Sequence, residues 1–247
     1  MSEPTADHLL GGRLSLFQAA KGHRAGTDAI LLAAAAAALG EGGAFVDVGA
    51  GVGAAGLALA LLRPSAHGLL LEADPAHAAL GRRNCAANGV ADRVEVVEAD
   101  LFAPPARRPA RESAALVLTN PPFFLPGEVR ASPDAGRASA HVMGPRGHGD
   151  WLIAAVALLA PKGRFVTIHR PQALAALLAA CEGRLGGVAV RPIQAREGGD
   201  AVRILLSGTK GSRASLRVAP PFVLHGPDGA FTDAAEAVHR GDALIAM

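Results

Sequence analysis

The chain has 247 residues, 50% of them hydrophobic, with 24 Lys and Arg against 22 Asp and Glu for a formal net charge of +2. That apolar content excludes a disordered chain and supplies a full core. The near-neutral balance excludes a global basic field, so any nucleic-acid contact has to come from a local patch.

Two cysteines, Cys85 and Cys181, lie far apart without paired spacing, which argues against a disulfide framework or a zinc site and fits a reducing compartment. Residues 1–8 are polar and lack a signal-peptide core, and the longest apolar stretch, 29–39, is too short to span a bilayer. The expectation is a cytoplasmic protein with no membrane partner.

Short β-branched or Leu-rich runs alternate with longer Ala/Leu segments, the pattern of βα units and a largely parallel sheet. Residues 1–26 read as an N-terminal extension packing on a catalytic domain of 27–247, with no composition break to cut a second domain. Thr27 is placed to cap a helix over 29–39 that stops at Gly40. Strands are predicted at 44–48, 68–72, 94–97, 115–118 and 164–169, with helices at 54–62, 75–88, 151–159 and 171–182. Residues 188–192 and 202–207 read as a closing antiparallel pair. Residues 104–112 and 126–149 are the least regular, and the second has the length of a functional loop.

The first of these strands runs through Asp47 and Val48 into Gly49-Ala50-Gly51-Val52-Gly53 and then a helix. Glycines let the backbone turn sharply and let a ligand approach the main chain, and the helix N-terminus adds donors. Gly51 to Gly56 satisfies Gly-x-Gly-x-x-Gly, so a dinucleotide and S-adenosylmethionine compete as ligands. Asp47 discriminates between them. A carboxylate in an apolar strand is costly unless paired or used; it would repel a pyrophosphate and attract the ammonium of a methionine end. The plainer reading is a buried carboxylate satisfied by loop amides.

The next strand ends in Glu72, placed to hold a ribose diol. Asp74 competes for that role, although Asp74-Pro75 more naturally caps the following helix. The third strand leads to Asp100, which can accept from an adenine amine. Singly, each acid reads as a cap or a solvated strand end.

The fourth strand leads into Asn120-Pro121-Pro122-Phe123. Two successive prolines stiffen the backbone and hold the Asn120 side chain and the Asn120 and Pro121 carbonyls as a hydrogen-bonding fork. Phe123 offers an apolar face beside it, and Phe124 a second wall. A planar group bearing an exocyclic amine fits: the fork accepts from the amine and the ring stacks on the plane. The plainer reading is an Asx-type turn with a core Phe.

These motifs resemble the class I S-adenosylmethionine-dependent methyltransferases, in the amino-methylating branch that carries Asn/Asp-Pro-Pro followed by an aromatic residue. From about residue 9 onward the chain is similar to the bacterial tRNA(1-Val) adenine N6-methyltransferase family. The likeness takes in Gly11-Gly12-Arg13, Gln18, Lys21-Gly22-His23-Arg24, Gly26-Thr27-Asp28-Ala29, Arg82-Arg83-Asn84 and Asn88-Gly89. It continues through the Trp151 helix, Ile168-His169-Arg170 and Lys210-Gly211-Ser212-Arg213.

The resemblance implies a Rossmann-like α/β fold with a doubly wound, mostly parallel seven-stranded sheet. It implies S-adenosylmethionine as cofactor, and an RNA substrate, tRNA in particular. Asp47, Gly49 and Gly51 would hold the methionine end, Glu72 the ribose and Asp100 the adenine. Thr27 and Asp28 would close over the methionine end, or else form an N-cap and first helical turn. Asn120 and the Pro121 carbonyl would grip the target N6 amine, with Asn120 also at the cofactor, and Phe123 would stack on the base.

No histidine pair has metal-ligand spacing, so no metal is expected; His141 and His148 read as solvent-facing. Arg130, Arg137, Arg146 and Lys162, read as near the catalytic edge, together with Lys210, Arg213 and Arg217, form either an RNA footprint or a solvated face. Two other readings stand beside this one: the same cofactor serving DNA adenine or a protein glutamine amide, and a non-catalytic RNA-binding protein that kept the fold.

Overall fold

The computed structural model describes residues 4–20, 24–40, 43–122 and 147–247. Lys21, Gly22, His23, Phe123, Phe124, Arg130, Arg137, His141 and Arg146 lie outside the described residues.

The chain opens with an antiparallel hairpin of β1 (Thr5–Leu9) and β2 (Leu14–Gln18), followed by α1 (Thr27–Ala38). Then come β3 (Ala44–Val48), α2 (Ala54–Leu62), β4 (His67–Glu72), α3 (Pro75–Ala87), β5 (Val94–Glu98) and β6 (Ala114–Thr119). The second half comprises α4 (His148–Val156), β7 (Leu159–His169), α5 (Leu174–Cys181), β8 (Leu185–Arg196), β9 (Ala201–Lys210), β10 (Arg217–Val218), β11 (Phe222–His225) and α6 (Asp233–Arg240).

The main sheet has the order β5-β4-β3-β6-β7-β9-β8. All neighbours are parallel except β9, which runs antiparallel to both β7 and β8. The doubly wound, mostly parallel seven-stranded core is thus present. Beyond it, the short β10 and β11 pair with β8 at the outer edge and bring the sheet to nine strands.

Two apolar layers cover the sheet. One buries Phe45, Leu70 and Leu118 beneath α1 and α2, together with Leu14 and Leu16 of the hairpin; the other buries Val46, Val48 and Val117 against α4 and α5. The alternation of strand side chains accounts for the division. Helix α1 is apolar almost all round because it is enclosed: Ala33 to Ala37 are fully buried, and their small side chains let it pack closely on its neighbours.

Several boundaries differ from the sequence reading. Gly26, not Thr27, is the N-cap of α1: its carbonyl accepts from the Ala29 and Ile30 amides, and Thr27 is the first helical residue. Helix α4 starts at His148 rather than Trp151, because the Asp150 carboxylate accepts from the Gly147 amide at 3.1 Å and fixes the first turn earlier. Leu159, expected in that helix, begins β7.

The hairpin is docked through side-chain amides. Asn84 Oδ1 accepts from Phe17 N at 2.7 Å, and its Nδ2 donates to Phe17 O at 3.1 Å. One turn later, at the C-cap of α3, Asn88 repeats the pattern with Ser15 N at 2.9 Å and Ser15 O at 2.7 Å. Four helical residues rise about 6 Å and two strand residues about 6.8 Å, so the two amides match the strand's repeat.

Candidate active site at the carboxyl edge of the sheet

Strand register places the candidate residues along one line. Val48 is level with Leu71 of β4 and with Thr119 of β6, and Glu72 with Glu98 of β5. The next residues, Gly49, Glu72 and Asn120, therefore stand together where three parallel strands end, and Asp100 lies two residues past Glu98. Open α/β sheets bind ligands at this edge. Glu72 and Asn120 are two strand spacings apart, about 10 Å.

Gly49 (φ +68°) and Gly51 (φ +57°) adopt left-handed conformations that L side chains rarely take. They differ in surroundings. A Cβ on Gly49 would lie 2.9 Å from Trp151 Cζ2, whereas a Cβ on Gly51 would meet nothing within 4 Å. Gly49 seats the turn on an aromatic ring; Gly51 leaves open space above a turn whose Gly49 and Ala50 amides both donate to Leu71 O. The Gly51 amide donates to Glu72 Oε2 at 2.7 Å, and the Asp74 amide donates to Glu72 Oε1 at 2.9 Å. Asp74 itself caps α3, its Oδ1 accepting from Ala76 N at 2.7 Å and His77 N at 3.0 Å, the capping role the Asp74-Pro75 pair suggests.

Asp47 is 2% exposed and lies beneath the turn, where Oδ2 accepts from Gly56 N at 2.8 Å. A Cβ on Gly56 would stand 2.3 Å from Leu70 Cδ2 and 3.0 Å from Asp47 Oδ2, so the glycine lets α2 approach the sheet this closely. Burial, with the nearby Glu72 charge adding, pushes the Asp47 carboxyl up to about 7.

Asp100 is exposed and accepts from Phe102 N at 2.8 Å. Thr27 and Asp28 begin α1 and turn toward other elements: Thr27 Oγ1 lies 3.3 Å from His239 Nε2 of α6, and Asp28 pairs with Arg203 of β9 at 2.8 Å. Leading into them, Gln18 is 2% exposed and its amide bonds the Ala25 backbone in both directions, 2.7 Å to N and 3.3 Å to O.

Asn120 Oδ1 is buried and accepts no hydrogen bond among the described residues. Unsatisfied buried acceptors are rare and costly, and at a ligand edge such an atom suits a donor supplied from outside. Pro121 is buried and Pro122 half-buried beside it; Phe123 falls outside the described residues.

Sequence reading missed how Thr119 and Trp151 are used. Thr119 is 1% exposed; its hydroxyl donates to Val48 O at 2.7 Å and accepts from Trp151 Nε1 at 3.0 Å. It also missed that Asn84 Nδ2 donates to Val52 O at 2.9 Å, tying the hairpin's anchor to the glycine turn. A polar residue at the last position of an apolar strand, and a buried Asn on a helix, were the available signals.

Two expectations are corrected. His148 is not solvent-facing: its ring packs edge-on against the fully buried His169, centroids 4.5 Å apart. Lys162 does not lie near the catalytic edge. It sits near the amino-terminal end of β7, just before Arg164, which is level with Leu116 low on β6. Lys210 and Arg213 share that opposite end, with Lys210 bonded to Glu112 at 3.1 Å and Leu159 O at 2.6 Å. Arg217 lies on the outer β10, four strands from β6.

Among the described residues, no group of three or more His, Cys, Asp or Glu is placed to hold a metal, and no helix is long and apolar enough to cross a membrane.

The sheet order, the glycine turn after the central strand and the acid at the end of the next are those of the class I S-adenosylmethionine-dependent methyltransferases. Comparison with known proteins agrees. The chain belongs to the methyltransferases: a relative matched over nearly its full length is one, and the methyltransferase small domain model matches residues 19–135, just under half of the chain. A predicted O-methyltransferase from Agrobacterium tumefaciens, solved by crystallography, is 32% identical and superposes with a TM-score of 0.71, covering 89% of this chain and 99% of that one. A tRNA1(Val) (adenine(37)-N6)-methyltransferase of Shewanella amazonensis is 38% identical over 121 residues, 49% of this chain and 49% of that protein. A release factor glutamine methyltransferase of Cereibacter sphaeroides is 37% identical over 118 residues, 47% of this chain and 41% of that protein. The chain thus spans about half the length, or less, of these two relatives.

Proposed function

We propose that this protein transfers a methyl group from S-adenosylmethionine to the exocyclic N6 amine of an adenine in RNA, with tRNA as the substrate class. The observation that carries the reading is the buried Asn120 Oδ1 at the strand end, without a hydrogen-bond partner among the described residues and in line with Gly49 and Glu72. The tRNA-methylating relative, at 38% identity, supports the choice of acceptor.

The cofactor, when bound, supplies an electrophilic methyl on a sulfonium. In this reading Glu72 holds the ribose with the lone pairs that its two amide contacts leave open. Gly49 and Gly51 admit the methionine end, with Asp47 beneath the turn, where a facing ammonium would favour its ionised form. Asp100 accepts from the cofactor adenine, and Thr27 and Asp28 border the methionine end from α1. Asn120 Oδ1 and the Pro121 carbonyl accept from the target amine. Two acceptors favour a pyramidal nitrogen whose lone pair is aimed at the methyl group, and they stabilise positive charge as it develops. Phe123 stacks on the unstacked base and offsets part of its extrusion cost. Positioning supplies most of the acceleration.

A second reading has one specific support. The glutamine-methylating relative matches at nearly the same identity, 37%, and a side-chain amide is also a planar amine. Incubation with methyl-labelled cofactor and either total RNA or peptide-chain release factors separates the two. The proposal expects label in N6-methyladenosine after nucleoside digestion. Label confined to a release-factor glutamine would overturn it.

A further inference from the structure

We propose that Trp151 is a positioning residue for methyl transfer, locking the cofactor turn and the acceptor fork into one alignment through Thr119. The inference rests on the reading of Asn120 given above.

Trp151 stands on the first turns of α4 and reaches three strand ends at once. Its Nε1–H donates to Thr119 Oγ1 at 3.0 Å, one residue before Asn120. The Thr119 hydroxyl has a single proton, which goes to Val48 O at 2.7 Å, one residue before Gly49. The far edge of the indole occupies the space a Cβ on Gly49 would need, with Cζ2 at 2.9 Å and Cη2 at 3.2 Å. Phe102, two residues past Asp100, packs edge-on against the same ring at 6.1 Å and 72°.

The ladder between β3 and β6 ends at Val48 and Thr119. Beyond that level the Trp151–Thr119–Val48 relay carries the register onward to the two residues that have to face each other across the reaction. Any buried tryptophan finds a partner for its N–H; the distinction here is the partner, a hydroxyl that itself bridges the ends of β6 and β3. Here the indole N–H is spent on a buried hydroxyl whose own proton is already committed. In-line transfer is sensitive to displacement of about 1 Å, which can cost 100-fold in rate.

Trp151→Phe keeps a ring near Gly49 but deletes the donor, and Thr119→Val keeps the strand shape but breaks both links. Each is expected to lower the single-turnover rate at saturating cofactor by roughly 10- to 100-fold, with cofactor affinity changed far less. The double variant should be no slower than the slower single, because the two residues act as one unit. Thr119→Ser, which restores the hydroxyl, should recover most of the rate.

A second arm does not depend on the acceptor. Trp151 is the only tryptophan and the chain has no tyrosine, so its emission reports this site alone. S-adenosylhomocysteine should change that emission saturably in the parent protein, and the change should be altered in Thr119→Val. Loss of methylation in the parent itself would count against the acceptor reading and leave this second arm to decide the relay. Folded Trp151→Phe and Thr119→Val variants with parental rates, or an emission response identical in the parent and Thr119→Val, would reduce Trp151 to a core residue.

Discussion

The amide of Gly51 donates to Glu72 Oε2 at 2.7 Å, so the glycine turn and the end of the neighbouring strand form one wall of the candidate site. Glu72 Oε1 is held in the same way by the Asp74 amide. The carboxylate is thereby oriented before any ligand arrives, with lone pairs remaining for a diol.

Glu72→Ala removes the acceptor for the turn and the contact to the ribose together. A charge-assisted hydrogen bond contributes about 1.5–3 kcal/mol, so cofactor affinity should fall roughly 10- to 100-fold. Titration calorimetry with S-adenosylhomocysteine measures it; unchanged affinity would remove Glu72 from the site.

Asp47 makes the stability of the protein depend on pH. Its folded pKa, about 7, lies above the ordinary value of 3.8, chiefly through burial. The native state therefore holds this proton more tightly than the unfolded chain does. The contribution is fully present below about pH 4 and is lost as pH rises toward 7. Between pH 5 and pH 8 the group should withdraw roughly 2–3 kcal/mol of stability. Asp47→Asn, neutral throughout, should lose that part of the dependence in urea melts; equal pH profiles for parent and variant would contradict the assignment.

The two left-handed glycines should respond differently to alanine. Both substitutions carry a backbone cost of about 1–2 kcal/mol. Gly49→Ala also drives a methyl into Trp151, with overpacking adding about 1–3 kcal/mol, so its melting temperature should drop further. Gly51→Ala meets open space in the ligand-free protein and should lose cofactor affinity out of proportion to stability. The same ratio of affinity loss to stability loss in both variants would count against Gly51 as the cradle.

Charge reversal at Lys162 and Arg213 should leave RNA methylation unchanged, since both lie at the amino-terminal end of the sheet, opposite Asn120. The readout is the slope of activity against salt, which should match the parent. A flattened slope in Lys162→Glu or Arg213→Glu would show that RNA wraps around to that face.

The sheet was legible because each buried parallel strand is a short apolar run closed by a turn signal, and the run into Gly49-Ala50-Gly51 marks the central one. The carboxyl edge followed from the acids and Asn120 at successive strand ends. The hairpin went unread although Leu14, Leu16 and Gln18 alternate, because residues 4–18 also carry polar and charged side chains that mask a short edge element. Helix α6 was missed despite Thr232 at its N-cap and Gly241 closing it at φ +75°, since its buried face is only Ala235 and Val238. The position of Lys162 and Lys210 could not be read locally: it depends on which end of an 11-residue and of a 10-residue strand faces the site, and on β9 running antiparallel. The use of Trp151 likewise requires knowing that Thr119 faces α4 while Leu118 faces α1.

The most direct measurement is single-turnover methyl transfer to tRNA at saturating cofactor, comparing the parent protein with Asn120→Ala. Losing one positioned acceptor at the transition state should slow the step roughly 100- to 1,000-fold, about 2.7–4 kcal/mol, while cofactor affinity stays within a few-fold of the parent. An Asn120→Ala protein that still forms N6-methyladenosine at the parental rate would show that the residue closes a turn and does not hold the reacting amine.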